Sequence, residues 1–478
     1  MSQLSARGGG ALAIVLHTHM PYVEGFGTWP FGEEWLWEAM VGSYLPLLDL
    51  LDEDAPLTLS LTPVLCDQLE VPGLSERFER FVEEVRRDSH AEDAAGLRAG
   101  GHEQLAAELE RSWSEYLAAL EALQRRGGDL LSALAPHAAW TSSATHAVLP
   151  MLATETGVRE QVRSGVRSHL RRFGAGWRGG FWLPECAHEP DLDRILAEAG
   201  AHATCVELTG RFGLGGAGHL RPLESAAGPL LVPVDRETMS LVWSDRGYPA
   251  AGSYRDYHHH TVHHHNPWAN DGSAYDPAAA FALAAEHAAD FVARTRARLA
   301  DAGAELPGGG LVVCALDTEL LGHWWYEGIA WLRAVVDECR VQGLELLRLD
   351  DALERCEPAP VPEGPEWEPS SWGAGGDLST WSGPRVAAHA FAVRAAELDV
   401  LAAGAAAGPR AIRELLALQA SDWPFMVSRG LAVPYALERM ERHAQALRAA
   451  LEAGSGETVD DLRNLAVDVD PGAFLEPL

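Results

Sequence analysis

The sequence predicts an α/β fold in which a parallel sheet, covered by helices, curls into a barrel. Short apolar runs rich in Val, Leu and Ile recur along the chain and alternate with stretches of helical periodicity. Near-continuous apolar strands are typical of parallel sheets, whose two faces are both buried. A chain of 478 residues can form a barrel and a further domain. The runs are residues 11–16, 57–61, 138–142, 180–183, 203–207, 239–243, 311–316 and 344–349.

Polar residues follow several of these runs directly. His17 and His19 follow the first run, residues 143–146 follow the third, and Glu185 and Asp317 end later ones. A barrel of parallel strands places its active site at the carboxyl ends of the strands. The sequence therefore predicts that these side chains line one site.

Two segments interrupt the alternation of strands and helices. Residues 74–130 are charged and helical in spacing, which predicts a helical insertion, and residues 244–270 are polar and aromatic, which predicts an active-site loop. A Pro- and Glu-rich stretch follows the last strand. We expect a catalytic barrel over residues 1–356, a linker with substrate-binding tryptophans over 357–382 and an all-helical C-terminal domain over 383–478.

The charge balance narrows the class of partner. A net charge of −32 argues against a nucleic acid or an anionic membrane surface, because both attract clustered cations. All 37 basic residues are arginine. Without lysine, the chain has no Schiff-base lysine, pyridoxal phosphate anchor or P-loop lysine. A neutral or cationic partner is favoured.

The cysteines indicate a reducing compartment. The chain has six, with no CxxC pair and no spacing typical of a disulfide framework. The N-terminal apolar run over residues 11–16 is too short for a signal peptide core or a membrane span. We expect a cytoplasmic protein.

Two carboxylates at strand ends suggest cleavage of a glycosidic bond. Glu185 ends the run GFWLPE and Asp317 ends the run ALD, with Trp182 and Trp324 nearby in sequence. Each acid alone fits a structural role, as a strand-end cap or as half of a buried ion pair, about as well as a catalytic one. Glycoside hydrolysis requires one ionised and one protonated carboxyl group, so the pair favours that chemistry.

The two N-terminal histidines allow another interpretation. An HxH at the end of a first strand is also how some metal-dependent hydrolases begin, and His146 and Asp317 could complete such a site. Otherwise His17 and His19 hydrogen-bond sugar hydroxyls, which we favour. Two runs of three histidines, 258–260 and 263–265, are interpreted as solvated loop features. We expect no metal and no cofactor.

Tryptophan is the most numerous aromatic residue, with 16 copies against 12 Phe and 9 Tyr. Flat, amphipathic indoles suit the faces of sugars. Some tryptophans near Gly, Pro or polar residues are predicted on the barrel rim: Trp29, Trp35, Trp37, Trp182, Trp268, Trp324, Trp325, Trp372 and Trp381.

The ordered motifs resemble those of glycoside hydrolase family 57. They are HTHMP from His17, TH at His146, WLPECA around Glu185, LDTELLGHWW around Asp317 and SDWPF around Asp422. The matches run from the N-terminus into the C-terminal region. The forms WLPECA, DTELLGHWW, SSWG and SDWPF are closer to the 1,4-α-glucan branching enzymes of that family than to its amylases.

The resemblance implies a fold, a mechanism and a site. The fold is an incomplete seven-stranded (β/α) barrel with a helical insertion and an all-helical C-terminal domain. The mechanism is retaining and metal-independent, with Glu185 as nucleophile, Asp317 as general acid/base and Tyr248 at the tip of a mobile loop that excludes water. The other predicted substrate-binding residues are His17, His19, His146, Trp182, Arg255, Trp268, Trp372, Trp381 and Asp422.

The chain departs from the pattern of the thermophilic members in two places. The histidine-rich stretch after Tyr254 differs, which bears on the roles of Arg255 and Trp268. Where those enzymes have Gly-Gln, this chain has Gly430 and Leu431, so a sugar-binding amide is missing.

These observations predict a branching enzyme that acts on an α-1,4-glucan or glycogen-like polysaccharide. The alternatives are an α-amylase or 4-α-glucanotransferase of the same fold, a metal-dependent amidohydrolase or deacetylase, and a non-catalytic glucan-binding protein. A retaining mechanism requires the two carboxyl groups to lie about 5–5.5 Å apart.

Overall fold

The computed structural model describes residues 10–26, 31–306, 308–362, 368–454 and 464–472. The predicted rim residue Trp29 lies outside these ranges.

The strands form a single sheet in which most pairs are parallel. The order is β10-β6-β7-β5-β4-β3-β2-β1-β8, and β9 also pairs with β1. Among the strands of the described ranges, only the β6–β7 pair is antiparallel. The strands are β1 (Ala11–Thr18), β2 (Thr58–Leu61), β3 (Ala138–Ser142), β4 (Gly180–Trp182), β5 (Ala203–Val206), β6 (Leu223–Glu224), β7 (Leu230–Pro233), β8 (Leu311–Asp317), β9 (Glu345–Leu346) and β10 (Ala359–Pro360).

Seven parallel strands form the barrel wall. They follow the order β7-β5-β4-β3-β2-β1-β8, and β1 is buried along its whole length. Between β7 and β8 there is no ladder in the described residues, and the Asp235 amide after β7 donates to the Val313 carbonyl of β8 at 2.9 Å. The predicted incomplete seven-stranded barrel is confirmed.

Helices cover the sheet and build the C-terminal region. They are α1 (Glu33–Ala39), α2 (Leu45–Leu51), α3 (Pro63–Leu69), α4 (Leu74–Arg80), α5 (Arg87–Ala99), α6 (Glu103–Arg125), α7 (Leu130–Leu134), α8 (Glu155–Phe173), α9 (Asp191–Glu198), α10 (Thr209–Phe212), α11 (Arg236–Met239), α12 (Pro277–Asp301), α13 (Gly328–Gln342), α14 (Leu349–Leu353), α15 (Ser379–Ser382), α16 (Ala387–Ala403), α17 (Gly408–Leu418), α18 (Asp422–Arg429) and α19 (Val433–Ala453). No helix among these described residues has the length and apolar character that a membrane span requires.

The predicted strand over residues 239–243 is wrong. The Asp235 carboxylate accepts a hydrogen bond from the Thr238 amide at 3.3 Å and caps α11, so the chain turns into a helix after β7. The strand of this region is β7, a four-residue segment that the apolar pattern missed. The predicted strand over residues 344–349 is reduced to β9, because α14 begins at Leu349.

The C-terminal helices pack directly against the end of the barrel. The Thr145 hydroxyl, in the turn after β3, donates to the Leu416 carbonyl of α17, and the Ser421 amide donates to the His146 carbonyl at 3.0 Å. The segment before α15 is fixed to the turn after β4, where the Trp372 amide donates to the Glu185 carbonyl at 2.9 Å. Two parts distant in sequence thus close over one end of the sheet.

Candidate active site

Glu185 lies in a single helical turn that follows β4 and has an unfavourable backbone conformation. Its φ is 62°, and that of Cys186 is 48°, so two adjacent residues with side chains occupy the left-handed region. Such conformations cost about 1–3 kcal/mol each and are retained where the surroundings impose them. Here the Cys186 amide donates to the Leu183 carbonyl at 2.9 Å, and Trp372 holds the Glu185 carbonyl. The turn therefore aims the Glu185 carboxyl group into the barrel mouth.

Both oxygens of the Glu185 carboxylate accept a hydrogen bond from a neutral donor. Ser421 Oγ donates to Oε1 at 2.8 Å, and Trp372 Nε1 donates to Oε2 at 2.9 Å. Burial raises the pKa of this carboxyl group, and the two hydrogen bonds and the charge of His19 act against that rise. The donors thus stabilise the anionic form that a nucleophile needs.

A hydrogen-bond chain runs from Glu185 to the floor of the site. An ionised Glu185 only accepts, so Ser421 donates to it and must accept from His146 Nδ1 at 2.8 Å. Neutral His146 then accepts at Nε2 from His17 Nε2 at 2.9 Å, and His17 Nδ1 accepts from Ser60 Oγ at 3.3 Å. Burial lowers the pKa of both imidazoles well below the usual value, which agrees with neutral rings.

Asp317 lies in a contrasting environment at the end of β8, in register with His17. Within the described residues, no side chain donates a hydrogen bond to its carboxyl group. Burial and then the negative charges of Glu319, Glu185 and Asp422 raise its pKa well above the usual value. The surroundings of Asp317 therefore favour its protonated form, whereas the two donors at Glu185 favour the anion.

His19 connects the carboxylates around the site. Its Nε2 bonds to Asp422 Oδ1 at 2.8 Å, its Nδ1 bonds to Thr62 Oγ1 at 3.2 Å, and its amide donates to Glu319 Oε1 at 3.1 Å. Burial opposes protonation of His19, but the charge and hydrogen bond of Asp422 and the charges of Glu319 and Glu185 raise its pKa. The three acidic neighbours thus favour the protonated form of His19.

Aromatic stacking fixes the imidazole rings. The ring centroids of His19 and His146 lie 3.9 Å apart at an interplanar angle of 18°, and those of His17 and Trp182 lie 4.5 Å apart at 14°. The floor of the site is therefore a layered stack whose ring edges carry the hydrogen bonds described above.

The predicted metal set of His17, His19, His146 and Asp317 does not converge as a whole. Among the described residues, the one group with metal-ligand spacing is His19, His146 and Asp422, with one ligand atom from each within 4.8 Å of the others. His19 Nε2 is bonded to Asp422 itself, and both nitrogens of His146 have hydrogen-bond partners. The donor set is therefore used to orient the histidines.

Comparison with known proteins decides the family. The profile described as glycosyl hydrolase family 57 matches residues 139–363, and one described as the C-terminal part of 1,4-alpha-glucan branching enzyme matches residues 394–468. A probable 1,4-alpha-glucan branching enzyme of Mycobacterium tuberculosis is 32% identical, with 94% of each chain covered. The chain belongs to glycosyl hydrolase family 57.

Two other family 57 comparisons agree. The 1,4-alpha-glucan branching enzyme of Thermococcus kodakarensis is 30% identical, over 91% of this chain and 72% of that protein. The crystal structure of a family 57 branching enzyme from Pyrococcus horikoshii superposes with a TM-score of 0.87 at 28% identity, covering 98% of this chain and 97% of the other. The barrel and the C-terminal helices thus both have counterparts in the family.

In this family 57 chain, four tryptophans predicted on the barrel rim are buried instead. Trp37, Trp182, Trp325 and Trp381 are each at most 1% exposed, and the Trp182 ring stacks on His17 in the floor of the site. A Cβ on Gly373 would lie 2.8 Å from the Trp381 ring, so this indole supports the segment that carries Trp372. Sugar contacts of Trp182 and Trp381 stay predictions.

Three further predicted substrate-binding residues make contacts within the protein. Tyr248 stacks on His287 of α12 at 4.5 Å and donates to Asp290 Oδ2 at 2.7 Å. Arg255 is ion-paired with Glu108 of α6 and lies over the rings of Tyr275 and Tyr326. Trp268 stacks on His259 at 3.9 Å. The structure does not bring these three to the two carboxylates, and their roles toward substrate stay predictions.

Sequence reasoning missed several polar partners. Ser60, Ser421 and Glu319 were not assigned, although Ser421 and Glu319 are next to or alternate with an assigned motif residue. Ser421 directly precedes Asp422, and Glu319 follows Asp317 by two positions. The Tyr44 hydroxyl, which donates to Glu319 Oε1 at 2.6 Å, comes from a helical segment with no motif to indicate it.

Proposed function

We propose that this protein is a retaining 1,4-α-glucan branching enzyme, which cleaves an α-1,4 bond and forms an α-1,6 branch. The observation that carries the proposal is the contrast between two acids at the carboxyl ends of β4 and β8: two donors stabilise Glu185 as an anion, and Asp317 is surrounded by negative charge. The family to which the chain belongs and its branching-enzyme relatives support the same reaction.

In the first step, a Glu185 oxygen attacks the anomeric carbon of the donor glucan. The bond from that carbon to the leaving oxygen breaks, and Asp317 gives its proton to that oxygen. A covalent glycosyl-enzyme remains, and Asp317 is left as a carboxylate. His19, with its raised pKa, limits the accumulation of negative charge at this stage.

In the second step, Asp317 takes the proton of the 6-hydroxyl group of an acceptor glucan. The acceptor oxygen attacks the anomeric carbon, the bond to Glu185 breaks, and the configuration at that carbon is retained. Transfer requires that the acceptor, and not water, occupies the site. Trp372, half-buried and fixed to Glu185, and the loop of Tyr248 are the proposed groups that exclude water.

The proposed substrate is a neutral α-1,4-glucan of the glycogen type, bound without metal or cofactor. A neutral polymer is compatible with the net charge of −32, which disfavours anionic partners. The six cysteines are all free thiols, five of them buried, which supports a place in the reducing cytoplasm. The branching-enzyme relatives support a part in glycogen biosynthesis.

The type of glycosidic bond in the products tests the proposal. Incubation with amylose is expected to create α-1,6 links, visible as new anomeric signals by NMR and as short chains after debranching. Glu185→Gln should abolish both transfer and hydrolysis, and Glu224→Gln, at an exposed carboxylate of β6, is the matched control. Hydrolysis or chain exchange without new α-1,6 links would replace the proposal by an amylase or a 4-α-glucanotransferase.

A further inference from the structure

Three exposed aromatic rings lie side by side at the catalytic end of the barrel. Trp243, Tyr257 and Trp324 are 41%, 42% and 39% exposed. Trp324 is the central ring: its centroid lies 6.3 Å from that of Trp243 and 6.2 Å from that of Tyr257. We call these three residues the aromatic platform.

The platform belongs to the same face of the barrel as the two catalytic carboxyl groups. Trp324 follows β8 and Asp317 closely, and its amide donates to the Glu319 carbonyl at 3.2 Å. Trp243 follows β7 through α11, and Tyr257 comes from the loop over residues 244–270. All three rings therefore stand on segments that leave the carboxyl ends of β7 and β8.

The backbone under each ring is fixed. The Trp243 amide donates to the Met239 carbonyl at 2.7 Å, and Asn266 Nδ2 donates to the Tyr257 carbonyl at 3.1 Å. The loop that carries Tyr257 is in turn fixed to α5, because His263 Nδ1 bonds to Asp93 Oδ1 at 2.8 Å. A platform whose geometry exists before binding loses little conformational entropy when a ligand binds.

The geometry points to a binding surface for the outlying glucosyl units of a long α-1,4-glucan, away from the bond that reacts. The proposal rests on the proposed function. Neighbouring rings are tilted by 40° and 39°, so the platform is curved, as a helical α-glucan is. The rings are uncharged, and exposed Ser244 and Asp245 beside Trp243 supply groups that can bond to sugar hydroxyls.

Other occupants fit the platform less well. An exposed apolar patch of this kind marks a ligand or protein contact. Three rings offer too little apolar area for a stable protein interface, whereas stacking on sugar faces needs only flat, half-exposed rings. The glucan is therefore the occupant to which the proposal commits.

Kinetics on long and short substrates distinguish binding at the aromatic platform from events at the catalytic site. Trp324→Ala should raise the KM for long amylose about fivefold or more while changing kcat less than about twofold, because uniform binding is lost without change at the reacting atoms. Activity on short maltooligosaccharides should stay within about twofold, since they end before the platform. Phe391→Ala, at an exposed ring of α16, is the matched control and should change neither value.

Binding is measured separately from catalysis by electrophoresis through gels that contain amylose. In a Glu185→Gln background, Trp324→Ala should weaken retardation by the glucan, and Phe391→Ala should not. If Trp324→Ala lowers the melting temperature, the same measurements are made on Tyr257→Ala, which removes a second ring of the platform. Unchanged retardation and KM in both platform variants would overturn the inference. Absence of α-1,6 products from the wild type would overturn the proposed function alone, because the gel test needs no turnover.

Discussion

At the scale of single residues, the two acids are distinguished by what surrounds them. Glu185 receives hydrogen bonds from Ser421 and Trp372, whereas Asp317 faces the charges of Glu319, Glu185 and Asp422. Both side chains are partly buried carboxyl groups, and the pKa of each is raised. The hydrogen bonds, more than the burial, therefore support the proposal that Glu185 is the nucleophile and Asp317 the acid.

The motif residues of the site could be predicted from the sequence, but their connections could not. Glu185, Asp317, His17 and His146 all follow strands, so their presence at one end of a barrel follows from the fold. The direction of the hydrogen bonds depends on Ser421, which α18 brings in from more than 200 residues away. No local pattern encodes a contact of that sequence separation.

Glu319→Gln should shift the basic limb of the activity profile to lower pH. The negative charge of Glu319 raises the pKa of Asp317, so its removal lowers that pKa, and the protonated acid is lost at a lower pH. The pKa of Glu319 itself is raised to about 7 by burial, so this residue is ionised in the basic range where the limb lies. Glutamine keeps an acceptor for the Tyr44 hydroxyl and the His19 amide.

The measurement is kcat/KM against pH for the wild type and the variant. Glu345→Gln, at an exposed carboxylate of β9, is the control and should leave the profile unchanged. A basic limb that stays in place in Glu319→Gln would show that Asp317 is not the acid seen in the profile.

At the scale of elements, close contacts between helices and strand ends set the positions of the site residues. Helix α8 holds the turn that carries His146: the Gln161 carbonyl accepts from the Ala144 amide at 2.9 Å, and Gln161 Oε1 accepts from the Thr145 amide at 3.1 Å. This turn places His146 at a φ of 61°, a left-handed conformation at a third site residue. The helix thus supplies partners that the turn lacks within itself.

The apolar pattern located every strand of the barrel wall except β7, whose place it gave to the run that follows. β1 and β8 are apolar up to the polar residues at their carboxyl ends and were correctly placed, because strands buried on both faces carry an uninterrupted apolar signal. β7 has four residues and is followed closely by the capped helix α11. The apolar run over residues 239–243, which comes after this helix begins, was therefore predicted as the strand in place of β7. Strand identity there depends on pairing with β5, which the local sequence does not encode.

Gly165→Ala should destabilise the protein, although alanine normally favours a helix. A Cβ on Gly165 of α8 would lie 1.9 Å from the Ser142 carbonyl oxygen at the end of β3. Relief of that overlap requires the helix to move away from the strand, and overpacking of this kind costs about 1–3 kcal/mol. The free energy of unfolding, from denaturant titration, is the measurement.

Gly96→Ala is the matched control, because this glycine lies in α5 and a Cβ there would meet no atom within 4 Å. That substitution should stabilise the protein by up to about 1 kcal/mol through helix propensity. Stabilisation by both substitutions would mean that α8 does not approach β3 as closely as described.

At the scale of the whole molecule, the active site is shared between the barrel and the C-terminal helices. A buried polar network crosses the boundary between them. Gln161 Nε2 of α8 donates to Gln419 Oε1 at 2.9 Å, and Gln419 Nε2 donates to Glu397 Oε2 of α16 at 3.1 Å. Ser421 and Asp422 follow Gln419 within three residues, so the network sets how they enter the site.

Glu397→Ala should lower both stability and turnover, although this residue touches neither catalytic acid. The carboxylate is fully buried and accepts from the Ala153 amide at 3.0 Å, from Thr154 and from Gln419. Its removal leaves these buried donors unpaired, each at a cost of about 1–3 kcal/mol. Ser421 would then lose its fixed position beside Glu185. At an assay temperature where the variant is still folded, kcat should therefore be lower than the loss of folded protein explains.

Leu398→Ala, at the next residue of α16 and 53% exposed, is the matched control and should leave both the melting temperature and kcat near wild type. A Glu397→Ala protein with a lowered melting temperature and an unchanged kcat would show that the barrel and the C-terminal helices hold the site independently of this network.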